Sequence, residues 1–229
     1  MICLAPLLIA TAAASAAAGQ VTAPSTAASP APHGEGAGHL RTFFEALDAL
    51  PTAAAGDHVR VAWWGDSAIV SDGYTGALRH ALQERFGDGG PGFTLVAPDF
   101  AGYLRKGVRL KRHHWEVMSV LKGGRKDGHY GYGGVVATSY GGAGSTFTTP
   151  ESRIDRVLVY HRQTSRTGGL QLFVDTAQQP TFSLPKSRGT TGDSVWTVPL
   201  GKPVRSVRLR AAGGGLSMLY GVSLERDAP

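Results

Sequence analysis

The tripeptide Gly65-Asp66-Ser67 is the part of this sequence best suited to covalent chemistry. It follows the apolar run Val59-Arg60-Val61-Ala62-Trp63-Trp64, which reads as a short strand buried on both faces. It precedes a stretch with helical spacing. A serine at the C-terminal edge of such a strand, just before a helix, exposes its hydroxyl at the edge of a sheet. Its own N–H can face a developing oxyanion, helped by the nearby helix N-terminus. That placement suits nucleophilic acyl transfer, provided a base activates the hydroxyl. The competing reading is an ordinary strand-to-helix turn with Asp66 or Ser67 as cap. The eight histidines show no metal-ligand spacing, and His113-His114 sends neighbouring rings to opposite strand faces. No metal and no cofactor are expected. Trp115, Trp196 and Tyr220 could stack on sugars, but core packing is the better account of each.

The elements that must hold the serine are short. Leu40, Phe43, Phe44, Leu47 and Leu50 predict a helix over His39 to Leu50, stopped by Pro51 and Gly56. Tyr74, Ala77, Leu78, Ala81, Leu82 and Phe86 predict a second, with Ser71 or Asp72 as N-cap and Gly87 at its C-terminal end. Beyond Gly89-Gly90-Pro91-Gly92 the helical period does not return. Short runs separated by turn residues follow: Val108–Val120, Val135–Ser139, Arg156–His161, Leu170–Asp175, Val195–Leu200, Val204–Ala211 and Leu216–Leu224. Their spacing predicts an antiparallel, jelly-roll-like β-sandwich.

The serine block, together with Thr75-Gly76-Ala77-Leu78-Arg79 and Leu82-Gln83-Glu84-Arg85-Phe86-Gly87-Asp88-Gly89-Gly90-Pro91-Gly92-Phe93, resembles SGNH/GDSL-type hydrolases. More narrowly, it is similar to exported bacterial members in which a β-rich insert follows the first helix. Arg125-Lys126-Asp127-Gly128-His129-Tyr130-Gly131-Tyr132-Gly133-Gly134-Val135 resembles the opening of that insert. The resemblance implies an α+β chain: the first strand–helix unit of an SGNH α/β sheet, then the sandwich. It implies a serine ester hydrolase in which Ser67 is nucleophile and backbone oxyanion donor. The family's asparagine block and Asp-x-x-His do not carry over. The sequence contains no asparagine, and Asp127-Gly128-His129 is one residue too tight. The expectation is therefore the N-terminal part of a longer hydrolase, lacking its base and acting within the whole on a polysaccharide or cell-wall O-acetyl ester, or another small ester. The alternative is a non-catalytic, glycan-binding sandwich with a vestigial serine turn.

The expected division is a signal peptide at 1–18, a disordered linker at 19–38, a partial hydrolase domain at 39–103 and the sandwich at 104–229. The apolar start ends in Ala-Ser-Ala and Ala-Ala-Ala, but Met1-Ile2-Cys3 carries no basic residue, so the signal is atypical or the true start lies upstream. Cys3 is the only cysteine and falls inside that segment, so packing must supply the stability of the mature chain. A secreted or periplasmic protein is expected, not membrane-spanning after cleavage. Of the 229 residues 17% are charged, with a net charge of +6 and several cations between Arg105 and Lys126. That run reads as the polar face of a strand pair, or as a contact for an acidic cell-wall polymer. An exported chain without a recognisable nucleic-acid motif is not expected to bind nucleic acid.

Overall fold

The computed structural model describes residues 37–52, 54, 57–151, 153–184 and 191–227. The expected signal peptide, and the expected linker as far as residue 36, lie outside these. Two compact units divide the chain at Arg41/Thr42, and the second holds everything described below from Thr42 onward.

Helix α1 spans Ala37–Ala49 and runs into a 3-10 turn at Leu50–Thr52, where Pro51 ends the helical hydrogen bonding. Residues 57–65 form neither helix nor strand. The strand expected at Val59–Trp64 is therefore absent as a ladder: among the described residues no neighbouring strand supplies the partners that an extended backbone needs. The expected Ser71–Phe86 helix starts later, at Tyr74, and a separate short helix precedes it. Helix α2 covers Ser67–Val70 and α3 covers Tyr74–Phe86, with Asp72 between them at φ +53°. The N-cap of α3 is Gly73, not Ser71 or Asp72, because the Asp72 carboxylate is committed elsewhere. Gly87 closes α3 at φ +102°, its N–H donating to the Gln83 carbonyl.

Among the described residues eleven strands then build two antiparallel sheets: β1 (Gly92–Thr94), β2 (Arg109–His113), β3 (Glu116–Ser119), β4 (Val135–Ser139), β5 (Gly144–Thr148), β6 (Ile154–Gln163), β7 (Gly169–Val174), β8 (Phe182–Leu184), β9 (Gly192–Val204), β10 (Ser206–Gly213) and β11 (Ser217–Glu225). Sheet A has the order β3-β4-β11-β6-β9, and β1 pairs with β11 beyond the point where β4 stops. Sheet B has the order β2-β5-β10-β7-β8. From β1 to β3, from β4 to β7, and again from β8 to β11, consecutive strands alternate between the sheets. The chain is thus mostly antiparallel β-sandwich with few helices, as the turn spacing implied.

Alternation along each strand makes the core. Phe147, Leu172, Val207 and Leu209 of sheet B meet Val157, Val159, Leu219, Val222 and Leu224 of sheet A, all fully or almost fully buried. Each such aliphatic or aromatic side chain contributes about 1.5–3 kcal/mol of burial. The run Val108–Val120 is two strands in different sheets. His114, at φ +58°, turns the chain from β2 to β3 and drops Trp115 into the core, where its indole N–H donates to Ser145 Oγ at 2.9 Å. Trp196 packs against the same core. Tyr220 is buried on the outer face of sheet A beside Val136 and Met218. All three aromatic residues thus do packing work.

Candidate functional site

The serine turn is built locally by Asp66. Its carboxylate accepts the Ala68 N–H at 2.9 Å and its carbonyl accepts the Ile69 N–H at 3.2 Å, which starts α2. Neither contact uses the Ser67 N–H. The Ser67 side chain is exposed, and its hydroxyl makes no hydrogen bond among the described residues. No His, Asp or Glu is therefore positioned here to take its proton. His58 and Asp72, the nearest titratable candidates in sequence besides Asp66, are both held by other partners. Among the described residues no three His, Cys, Asp or Glu side chains converge as a metal site would require.

Two charge hubs fasten this segment to the sandwich. The first is Glu225, at the end of β11 on the outer face of sheet A. Arg60 reaches it with two parallel hydrogen bonds, Nε to Oε1 at 3.0 Å and Nη2 to Oε2 at 2.8 Å. Arg156 donates to Oε2 at 3.2 Å and the Ser223 hydroxyl donates to Oε1 at 3.0 Å. With Nε2 protonated, His58 donates to the Arg226 carbonyl at 2.6 Å and accepts from Arg156 through Nδ1 at 3.2 Å. Burial pushes the Glu225 carboxyl up, but the Arg60 bonds and charge outweigh it, so its pKa lies below that of an ordinary glutamate.

The second hub is Asp72, almost fully buried. Its carboxylate accepts from Arg79 at 2.7 and 3.1 Å, from the Thr75 hydroxyl at 2.8 Å and from the Lys106 N–H at 2.8 Å, with Arg105 Nη1 at 3.5 Å. Burial raises this carboxyl too, and the bond from Arg79 leads the contacts that leave it depressed. The Leu104 N–H donates to the Val70 carbonyl at 3.1 Å, and the Tyr103 hydroxyl binds Thr94 Oγ1 and the Leu95 N–H. The loop from Phe100 to Lys106 is thereby sewn both to the serine segment and to β1.

Between the hubs the segment is poorly covered. Val61, Trp63 and Trp64 are 51, 47 and 66% exposed. Trp63 makes an edge contact with Tyr74 at 5.5 Å, and Trp64 lies 6.5 Å from Tyr132. Tyr132, Phe93 and Tyr160 form an aromatic cluster over the outer face of sheet A, with centroids 5.6–6.2 Å apart. Gly221 in β11 admits the Phe93 ring, since a Cβ there would run into that ring and lie 2.9 Å from the Thr94 carbonyl. This much contiguous apolar surface is expected to bind a hydrophobic dye. Trp63→Ser with Trp64→Ser should remove most of the dye fluorescence while changing stability by only about 0.5 kcal/mol, since both side chains are largely exposed. Dye titration and thermal melting of the two proteins check this.

Among the residues anticipated from sequence, Ser67 sits at a turn capped by Asp66 without the strand expected before it, and no base among the described residues is brought to it. The residues that reasoning missed are Arg60, Asp72 and Glu225. Glu225 had one visible signal, a carboxylate ending the apolar run of β11, but its partners lie far away in sequence.

A solved structure described as a peptidoglycan O-acetylesterase in action overlays on 81% of this chain at 20% identity with a TM-score of 0.60. The match takes in 48% of that protein, so this chain spans about half its length and shares the fold of that half. A family 32 carbohydrate-binding module from C. perfringens NanJ in complex with galactose overlays on 52% of the chain and 94% of its own, at 10% identity and TM-score 0.35. A family 29 module complexed with mannohexaose covers 58% and 90%, at 10% identity and TM-score 0.36. No protein-family model matches the chain, and no curated protein does. No helix among the described residues is long and apolar enough to cross a membrane.

Proposed function

We propose that this chain carries the nucleophile of an exported SGNH-type carboxylic-ester hydrolase acting on O-acetylated cell-wall glycan. The observation that carries the reading is the Asp66-capped turn presenting Ser67 with a free hydroxyl and an N–H that the cap leaves unused. The fold shared with part of a structure described as a peptidoglycan O-acetylesterase supports it. In this reading residues 39–103 contribute the first unit of the hydrolase sheet and the sandwich is an insert. The base and the remaining oxyanion donors come from polypeptide that packs over Val61, Trp63 and Trp64.

The chemistry follows from the geometry. Ser67 Oγ attacks the acetyl carbonyl as the base takes its proton, and the Ser67 N–H donates to the oxyanion. The glycan hydroxyl then leaves with that proton, and water hydrolyses the acyl-serine. A serine without its base loses most of this enhancement.

The 229-residue chain is therefore expected to hydrolyse p-nitrophenyl acetate at the background rate, unchanged by Ser67→Ala. The reading is tested further in the gene beyond the codon for Pro229. An in-frame continuation encoding an asparagine block and Asp-x-x-His, with acetate release lost about 10⁴-fold or more in Ser67→Ala of the continued protein, agrees with it. Turnover by the 229-residue chain that vanishes in Ser67→Ala would show that a residue of this chain already serves as base. A chain inert in every form would favour the second reading, a glycan-binding sandwich, for which the unassisted Ser67 hydroxyl is the specific support.

A further inference from the structure

The outer face of sheet B is cationic for a reason that the strand register makes plain. Arg109, Lys111 and His113 of β2 stand opposite Thr148, Thr146 and Gly144 of β5, which stand opposite Ser206, Arg208 and Arg210 of β10. The intervening residues Leu110, Phe147, Val207 and Leu209 point into the core, so these three rows face outward. Five basic side chains thus flank a central strip of glycine and threonine. None of the five strands of sheet B contains an aspartate or glutamate. Among the described residues Arg109, Lys111, Arg208 and Arg210 form no ion pair, whereas sheet A pairs its exposed charges repeatedly, as at Arg162–Asp193.

The strip is also shaped. Gly144 leaves room for the His113 imidazole, which would lie 2.9 Å from a Cβ at that position through its Nε2. Beside it is a cavity of about 310 Å³ lined by His113, Gly144, Gln178, Arg208 and Arg210. Arg208 is held in advance: its guanidinium lies 4.2 Å over the Phe173 ring and donates to the Ala177 carbonyl at 3.5 Å. Its buried Nε has no partner among the described residues. A guanidinium fixed in advance is suited to carboxylate or phosphate oxygens.

We propose that this face is a binding trough for an anionic glycan, a polysaccharide carrying repeated carboxylate or phosphodiester groups. Strands lie about 4.8 Å apart, so β2 and β10 set two cationic rails about 10 Å apart across β5. Thr146, Thr148 and Gln171 lie between or beside them to hydrogen-bond sugar hydroxyls. Nucleic acid fits less well. The one aromatic ring of the central rows, Phe173, is buried beneath Arg208, so the face offers no platform for base stacking. The trough is independent of Ser67, and its test involves no esterase readout.

The test measures binding of the 229-residue chain to polygalacturonate, to poly(glycerol phosphate) teichoic acid, to neutral dextran and to a single-stranded DNA oligomer, at about 20 and about 200 mM salt. The variant Lys111→Glu with Arg210→Glu reverses two exposed cations of the trough. Lys126→Glu with Lys202→Glu makes the same change in net charge elsewhere. Melting curves verify that both variants fold. Binding to either acidic polymer, weakened about tenfold or more by the trough variant and by salt but less than about threefold by the control, supports the proposal. Which polymer binds tells carboxylate from phosphodiester. Binding to neither, equal weakening by both variants, no weakening by the trough variant, or DNA bound as tightly as the better glycan overturns it.

Discussion

Replacing Glu225 with alanine is expected to destabilise the sandwich by about 2–3 kcal/mol, because Arg156 loses its buried counter-charge and keeps the more exposed Asp227 carboxylate at 3.3 Å. Arg60 adds little to that figure, being about half exposed and screened by water. Glu225→Gln should cost less, since an amide still accepts one hydrogen bond. Denaturant unfolding of the three proteins gives the comparison. Acid should act on the same site. The folded carboxyl titrates below its unfolded value, so its contribution is fully present above the ordinary glutamate pKa of about 4.3 and is lost as pH falls through the lower folded value. The melting temperature of the wild type should therefore fall on acidification below about pH 4.5, and fall less steeply in Glu225→Gln. Asp72 carries the same sign and should leave a residual slope. Equal acid slopes in wild type and Glu225→Gln would show that the hub is not the titrating group.

Asp72→Ala is expected to act locally instead. Its carboxylate holds Arg79 and the Lys106 N–H, with Arg105 close by. Arg105 is depressed first by burial and then by the charge of Arg79. Without Asp72 those two cations face each other across an empty site, and the backbone must keep φ +53° without the contacts that stabilise it. A loss of about 3–5 kcal/mol should fall on α2, α3 and the loop from Phe100 to Lys106, raising their amide exchange about 10² to 10⁴-fold. The strands β6, β9 and β11 share none of these contacts and should exchange at the wild-type rate. Uniform acceleration across both sheets would contradict this division. Asp72→Asn, which tolerates positive φ and keeps an acceptor, should lie between.

The sandwich was legible where large apolar residues alternate with polar ones. Val207, Leu209 and Ala211 against Arg208 and Arg210 mark β10 plainly. It was not legible in β5, where Gly144-Ser145-Thr146-Phe147-Thr148 has one large apolar residue. There the packing over Ser145 comes from Trp115 and the Val96 carbonyl, which no local pattern announces. Val108–Val120 hid a change of sheet because its turn rests on the backbone angle of one residue, His114. At the serine site, the Gly65-Asp66-Ser67 motif marked the turn, but Val59–Trp64 was misjudged, since its apolar character suits a central strand that has no ladder partner among the described residues. The pairing at Glu225 was hidden for a simpler reason: Arg60 and Glu225 are 165 residues apart.

That separation sets a timetable for synthesis. β11 is the central strand of sheet A, between β4 and β6, and it also carries the carboxylate that captures Arg60. At about 5–20 residues per second, roughly 8–33 s pass between translation of Arg60 and translation of its partner. Through that interval the ribosome-bound chain has β3, β4 and β6 without the strand that joins them, and the two tryptophans before Ser67 hang from an unclasped segment. The nascent protein therefore meets any holding chaperone with its serine arm loose, and closes both the sheet and the arm in one late step.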